Sequence, residues 1–167
     1  MDPLLIWLES TALSRWIVES TSMFAFPGIL TAHAIGMGFA AGISVAIDLR
    51  ILGVAGGVPL SAFRRFLPVL WAGFWVNAVS GVLLLVAYPT KALTNPVFYV
   101  KLGLILAAMI ILVRLVRTFV DEPAAAGVLV AAGARSRLAA LSILCWAGAI
   151  FAGRFLAYTY TRLTALQ

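Results

Sequence analysis

Few residues in this chain have the chemistry to hold or transform a ligand, and most of them sit inside apolar runs. There is one histidine, His33, and one cysteine, Cys145, among only 11% charged residues. An ionisable side chain at the centre of a membrane span costs roughly 2.5–3.5 kcal/mol on insertion scales. His33, Lys101 and Arg154 therefore need explanation. His33 lies roughly 13 Å from the start of its run, counting about 1.5 Å per residue. It is too deep and too short to reach water, and neutral imidazole is the commonest metal ligand. Lys101 lies about one turn, and Arg154 one to two turns, from the ends of their runs, within snorkelling reach of an interface. Tyr88, Tyr99, Tyr158 and Tyr160 fall at the same level, as an aromatic belt would. Asn77 sits at mid-depth, where an amide serves as interhelical glue. Met37, Met109 and Cys145 also fall near mid-depth. Their sulfurs are the soft donors that select Cu(I), although methionines at helical spacing commonly fill cores. Cys145 and Arg154 are nine positions apart, on nearly opposite faces of one helix, and cannot serve one site.

The elements that must position these groups follow from composition. Of 167 residues, 63% are hydrophobic, and the mean hydropathy is +1.08. A soluble domain carries about a quarter charged residues, so an ordinary soluble enzyme is excluded. Four runs are long enough to cross a hydrocarbon core as helices: about 24–47, 66–88, 97–113 and 138–160. Ala124 to Ala134 is apolar but too short to span, and reads as an interfacial segment or an alanine-rich loop. Residues 3–20 lack the basic start of a signal peptide. Leu5, Leu8, Ala12 and Trp16 fall at helical spacing there, and predict one amphipathic helix on the membrane surface, with Trp7 and Trp16 at headgroup depth. The expectation is an all-α integral membrane protein, a single-domain antiparallel four-helix bundle with an N-terminal surface helix. The lone cysteine closes no intrachain disulfide.

The basic residues fix an expected orientation. Arg50, Arg64, Arg65, Arg114, Arg117, Arg135 and Arg137 lie on one side, against Arg15, Lys91 and Arg162 on the other. The first side should be cytoplasmic and both termini external, periplasmic in a bacterial inner membrane. The net charge of +6 then reflects topology and anionic lipid, not nucleic acid. Small residues predict close packing: Ala34, Gly38, Gly42 and Ala46 along the first span, and Gly73, Asn77, Ser80 and Gly81 along the second. Whether the first stripe serves the bundle or a homo-oligomer stays open.

Two stretches carry a family resemblance: "AHAIGMGFAAGISVAIDLRILG", with His33 ahead of Asp48-Leu49-Arg50, and "NPVFYVKLGLILAAM", with Lys101 early in a later helix. The first three spans resemble small four-span bacterial membrane proteins distantly related to the copper-resistance D family and to HemJ-type protoporphyrinogen oxidases. By that resemblance His33 corresponds to a haem-ligating histidine and Lys101 to its paired base. The oxidase type has Pro-Arg where this chain has Asp48-Leu49-Arg50, so its activity is not carried over.

Three readings follow. In the first, a b-type haem takes His33 as axial ligand, with Lys101 and Arg154 facing its propionates and Asn77 and Tyr158 lining the pocket. One histidine cannot supply two axial imidazoles, so a second ligand would be Met109, Met23, an exogenous group or a residue of another protomer. The same cationic pocket suits a quinone head or another amphiphilic anion, in electron transfer or haem handling. In the second, copper is bound or moved through Met37, Met109 and Cys145. In the third, the chain is an accessory subunit of a larger membrane complex and does no chemistry. There is no phosphate-binding glycine loop, zinc spacing or serine with a paired base, so no catalytic residue is assigned.

Overall fold

The computed structural model describes residues 3–121 and 132–164, all helix, turn or loop with no strand among them. In chain order the helices are α1 (Pro3–Glu9), α2 (Ala12–Glu19), α3 (Phe26–Ile51), α4 (Leu67–Ala87), α5 (Pro89–Leu93), α6 (Pro96–Leu115) and α7 (Ala132–Thr164). A 3-10 turn, Leu60–Phe66, leads into α4, and a π turn, Val116–Asp121, follows α6. Proline stands in the first turn of α3, α4, α5 and α6, where its missing N–H is no loss. The Asn95 side chain caps α6 by accepting from Val97 N at 3.0 Å.

Among the described residues four helices are long and apolar enough to cross a membrane. Their outer faces confirm the reading. Trp75, Val79, Leu106, Leu144 and Phe151 are all exposed, an apolar surface that suits lipid and that water would not tolerate. The protein is thus a multi-pass membrane protein built as an all-α four-helix bundle. α3 packs against α4, α6 against α7, and α3 also meets α7, which joins the two hairpins. The core lies between them, around Ile47, Leu70, Ala108, Met109, Leu112 and Trp146.

Three boundaries differ from the sequence expectation for physical reasons. α3 runs on to Ile51, with Asp48 packed inside the bundle and not ending the helix. α6 continues through Arg114, and α7 begins at Ala132, ahead of Arg135 and Arg137. A terminal arginine can stay helical while its head reaches outward. Of the 124–134 segment, residues 132–134 form the first turn of α7, and 124–131 lie outside the described residues.

The N-terminal segment is two helices, not one. Ser10 Oγ donates to Trp7 O at 2.7 Å, and Thr11 then caps α2 by accepting from Ser14 N at 3.3 Å. The break resets the helical phase, so Ser14 and Ile17 turn inward while Ala12 and Trp16 face out. Ile17 packs with Ile29 and Ala87, and Ser14 Oγ donates to Ala87 O at 3.4 Å. Trp7 and Trp16 remain exposed, on the same end of the bundle as α5.

Candidate functional site

Between α3 and α4 the backbones come into contact. A Cβ built on Gly36 would stand 2.6 Å from Gly73 O and 2.7 Å from Asn77 N, and one on Gly73 would stand 3.0 Å from Gly36 O. Only glycine fits at either position. The Gly73, Asn77 and Ser80 stripe does pack inward, as its residue types predict. The α3 stripe is corrected. Gly38 and Gly42 have nothing within 4 Å and, with Ala34 and Ala46, they face outward. The face that packs carries Gly36, Ala40, Ser44 and Ile47 instead. His33 therefore does not share a face with the outward stripe.

This close approach brings His33 against α4. Its Nδ1 lies 3.0 Å from Asn77 O, 3.1 Å from Ser80 Oγ and 3.3 Å from Asn77 Nδ2. The roles follow from the partners. Ser80 Oγ donates to Val76 O at 2.6 Å, and Asn77 Nδ2 donates to His33 O at 2.8 Å. Asn77 O is a backbone carbonyl and can only accept, and Ser80 Oγ has its proton on Val76 O, so Nδ1 carries the hydrogen and shares it between Asn77 O and Ser80 Oγ. Nε2 is left with its lone pair and accepts from Lys101 Nζ at 3.3 Å. Gly81 leaves room for the ring, since a Cβ there would stand 3.2 Å from His33 Cε1.

Lys101 reaches this position from the second turn of α6. Gly153 of α7 lies beside it: a Cβ at Gly153 would stand in ordinary contact with Lys101 Nζ and Cε at 3.7 Å. Among the described residues no carboxylate pairs with the ammonium, whose one polar partner is the imidazole. The cluster thus joins α3, α4 and α6 at the level where α7 carries Gly153.

Other expected members stand apart. Arg154 is exposed, and Tyr158 is 67% exposed. Neither is among the polar partners of His33 or Lys101, because each turns outward from the helix whose inner face carries Gly153. Met109 lies eight residues beyond Lys101, about 12 Å along the helix. It packs in the central core with Leu112 and Trp146, out of reach of an iron on His33. Met23 is 81% exposed, outside the bundle. Met37, Met109 and Cys145 belong to one core cluster, and Cys145 and Arg154 do take opposite sides of α7. No group of three His, Cys, Asp or Glu converges among the described residues.

Ser80 is the member the sequence reading missed, having been assigned to helix packing alone. Its position one turn from Asn77, on the stripe that packs, was the available signal. It also lines an apolar groove of about 400 Å³ on the outside of α3 and α4, with Ile29, Ala32, Trp75, Val79 and Leu83. The polar cluster and a lipid-facing groove therefore meet at one hydroxyl. Compared with known proteins, the chain matches no family model, no curated protein and no solved structure.

Proposed function

We propose that this chain binds an amphiphilic redox cofactor in the bilayer, a b-type haem or a molecule with a similarly anionic or carbonyl head, at the His33–Lys101 pair. One observation carries the reading: a poorly hydrated ammonium rests 3.3 Å from an imidazole lone pair, with no carboxylate among the described residues to neutralise it. An uncompensated charge in such surroundings gains from an anionic partner.

The histidine is prepared as a ligand. A ring held by Nδ1–H on a backbone carbonyl, with Nε2 free of hydrogen, is the arrangement that orients metal-binding histidines. His33 and Lys101 fit a singly ligated haem if the ammonium leaves Nε2 for a propionate. Haem would supply one-electron chemistry. Arg154, Tyr158 and Met109 have no part in that site. The arginine-rich end, by the positive-inside rule, faces the cytoplasm of a bacterial inner membrane and leaves both termini periplasmic.

The test is an absorption spectrum and metal analysis of protein purified in mild detergent. A Soret band that is lost in His33→Ala and weakened in Lys101→Gln, but kept in Arg154→Gln, supports haem. A bound quinone or other anionic amphiphile without a Soret band, released by Lys101→Gln, supports the wider form of the reading. Stoichiometric copper without either would move the site to Met37, Met109 and Cys145. None of these, with tight co-purification of a larger complex, leaves an accessory subunit.

A further inference from the structure

The far end of α3 holds a second polar site, independent of the first. Asp48 is 0% exposed, and neither carboxyl oxygen has a hydrogen-bond partner among the described residues. Ser142 of α7 is also 0% exposed, and its hydroxyl too has no hydrogen-bond partner among the described residues. The packing of α7 on α3 places it on the face turned towards Asp48. One turn away along both helices, Trp146 Nε1 donates to Ser44 Oγ at 2.9 Å. The steps from Ser44 to Asp48 and from Ser142 to Trp146 are both four residues, so each pair shares a helix face. The Asp48–Ser142 pair is the next rung of the same ladder between α3 and α7.

Cations are plentiful at this end of the bundle, yet no hydrogen bond joins one to the carboxylate among the described residues. On α3 itself, Arg50 donates from Nη2 to Gly56 O at 2.8 Å and from Nε to Val58 O, which ties it to the following loop. In the 3-10 turn, Arg65 stacks on Phe66, and Arg64 is its charged neighbour. On α7, Arg137 donates to Gly133 O, with Arg135 beside it. Arg114 and Arg117 close α6 and its π turn, and α4 carries no charged residue. A dry carboxylate without counter-ion or donor is highly unfavourable, and two routes remove the charge: a proton or a bound cation. A metal cation needs several oxygen ligands. Here one carboxyl and one hydroxyl meet, and no third acidic, histidine or cysteine side chain joins them among the described residues.

We propose that Asp48 and Ser142 form a proton-binding site, in which the protonated carboxyl of Asp48 and the Ser142 hydroxyl hold one exchangeable proton inside the bundle. Protonation removes the buried charge, and the carboxyl O–H and the Ser142 hydroxyl can then each donate or accept in the next rung between α3 and α7.

Infrared spectroscopy of the full chain in lipid nanodiscs tests this. At neutral pH the wild-type protein should show the carbonyl stretch of a protonated carboxyl, shifted in heavy water and absent from Asp48→Asn. Ser142→Ala, which keeps the carboxyl and removes its neighbour, should retain the band at higher frequency; it also serves if Asp48→Asn does not fold. Absence of the band at neutral pH overturns the proposal, and so does a band that survives in Asp48→Asn. A band that emerges only after exhaustive removal of sodium and divalent ions would show a cation site, and would overturn it equally.

Discussion

The two ends of α3 hold their polar residues in opposite ways. At one end His33 is saturated: Nδ1 meets Asn77 and Ser80 of α4, and Nε2 meets Lys101 of α6. At the other end Asp48 is more deeply buried and meets almost nothing. The difference lies in the neighbouring helix. α4 presents glycine and amide to His33, so backbones touch and carbonyls come within reach. Towards Asp48, α7 presents one small hydroxyl. A bilayer-embedded polar group is thus secured by how closely the partner backbone approaches, more than by how much charge stands nearby.

The largest test of that comparison is to force the backbones apart. Gly36→Val would drive a side chain into Gly73 O and Asn77 N, both backbone atoms that cannot step aside. Overpacking of this kind costs about 3 kcal/mol or more, and should appear as a large fall in thermal stability with loss of the His33 contacts. Next in size is Ser44→Ala, which strands the buried Trp146 indole N–H at a cost of about 1–3 kcal/mol; chemical unfolding in detergent would measure it.

Asn77→Ala removes the amide that answers His33 O and should cost about 1–2 kcal/mol, the range for interhelical hydrogen bonds in membranes. Asp48→Asn puts an uncharged amide donor where the protonated carboxyl would stand and should stay within about 1 kcal/mol in the same assay. If it proves as damaging as Asn77→Ala, the contrast between the two ends fails. Gly38→Ala, on the outward face with open space around it, should change stability by about 0.5 kcal/mol or less.

How legible these sites were in the sequence depends on what each residue type announces. The four spans, the inward stripe of α4 and the importance of His33 and Lys101 all follow from hydropathy and from the cost of intramembrane charge. The inward face of α3 did not follow, because small residues occur on two of its faces. Gly38 and Gly42 match the familiar four-residue spacing, while the contact is made through Gly36, which nothing in the sequence pairs with Gly73. Asp48 read as a helix end because Arg50 follows it; only the packing of α7 shows that it is interior. Arg154 and Tyr158 shared the right depth with the site but not the right azimuth, and azimuth depends on crossing geometry that a single helix does not encode.

The sequence separations within the His33 cluster bear on how the protein enters the membrane. Asn77 and Ser80 follow His33 by 44 and 47 residues, in the very next long helix, whereas Lys101 follows by 68. During synthesis α3 and α4 emerge as a complete hairpin whose amide, imidazole and hydroxyl already satisfy one another. The hairpin can partition into lipid with those groups masked, before any later helix exists. Lys101, the costliest newcomer, then arrives to an acceptor already oriented for it. Asp48 has no such early companion. Its neighbour Ser142 lies on α7, 94 residues further on, so the carboxyl must wait until α7 is made for its place in the bundle to close.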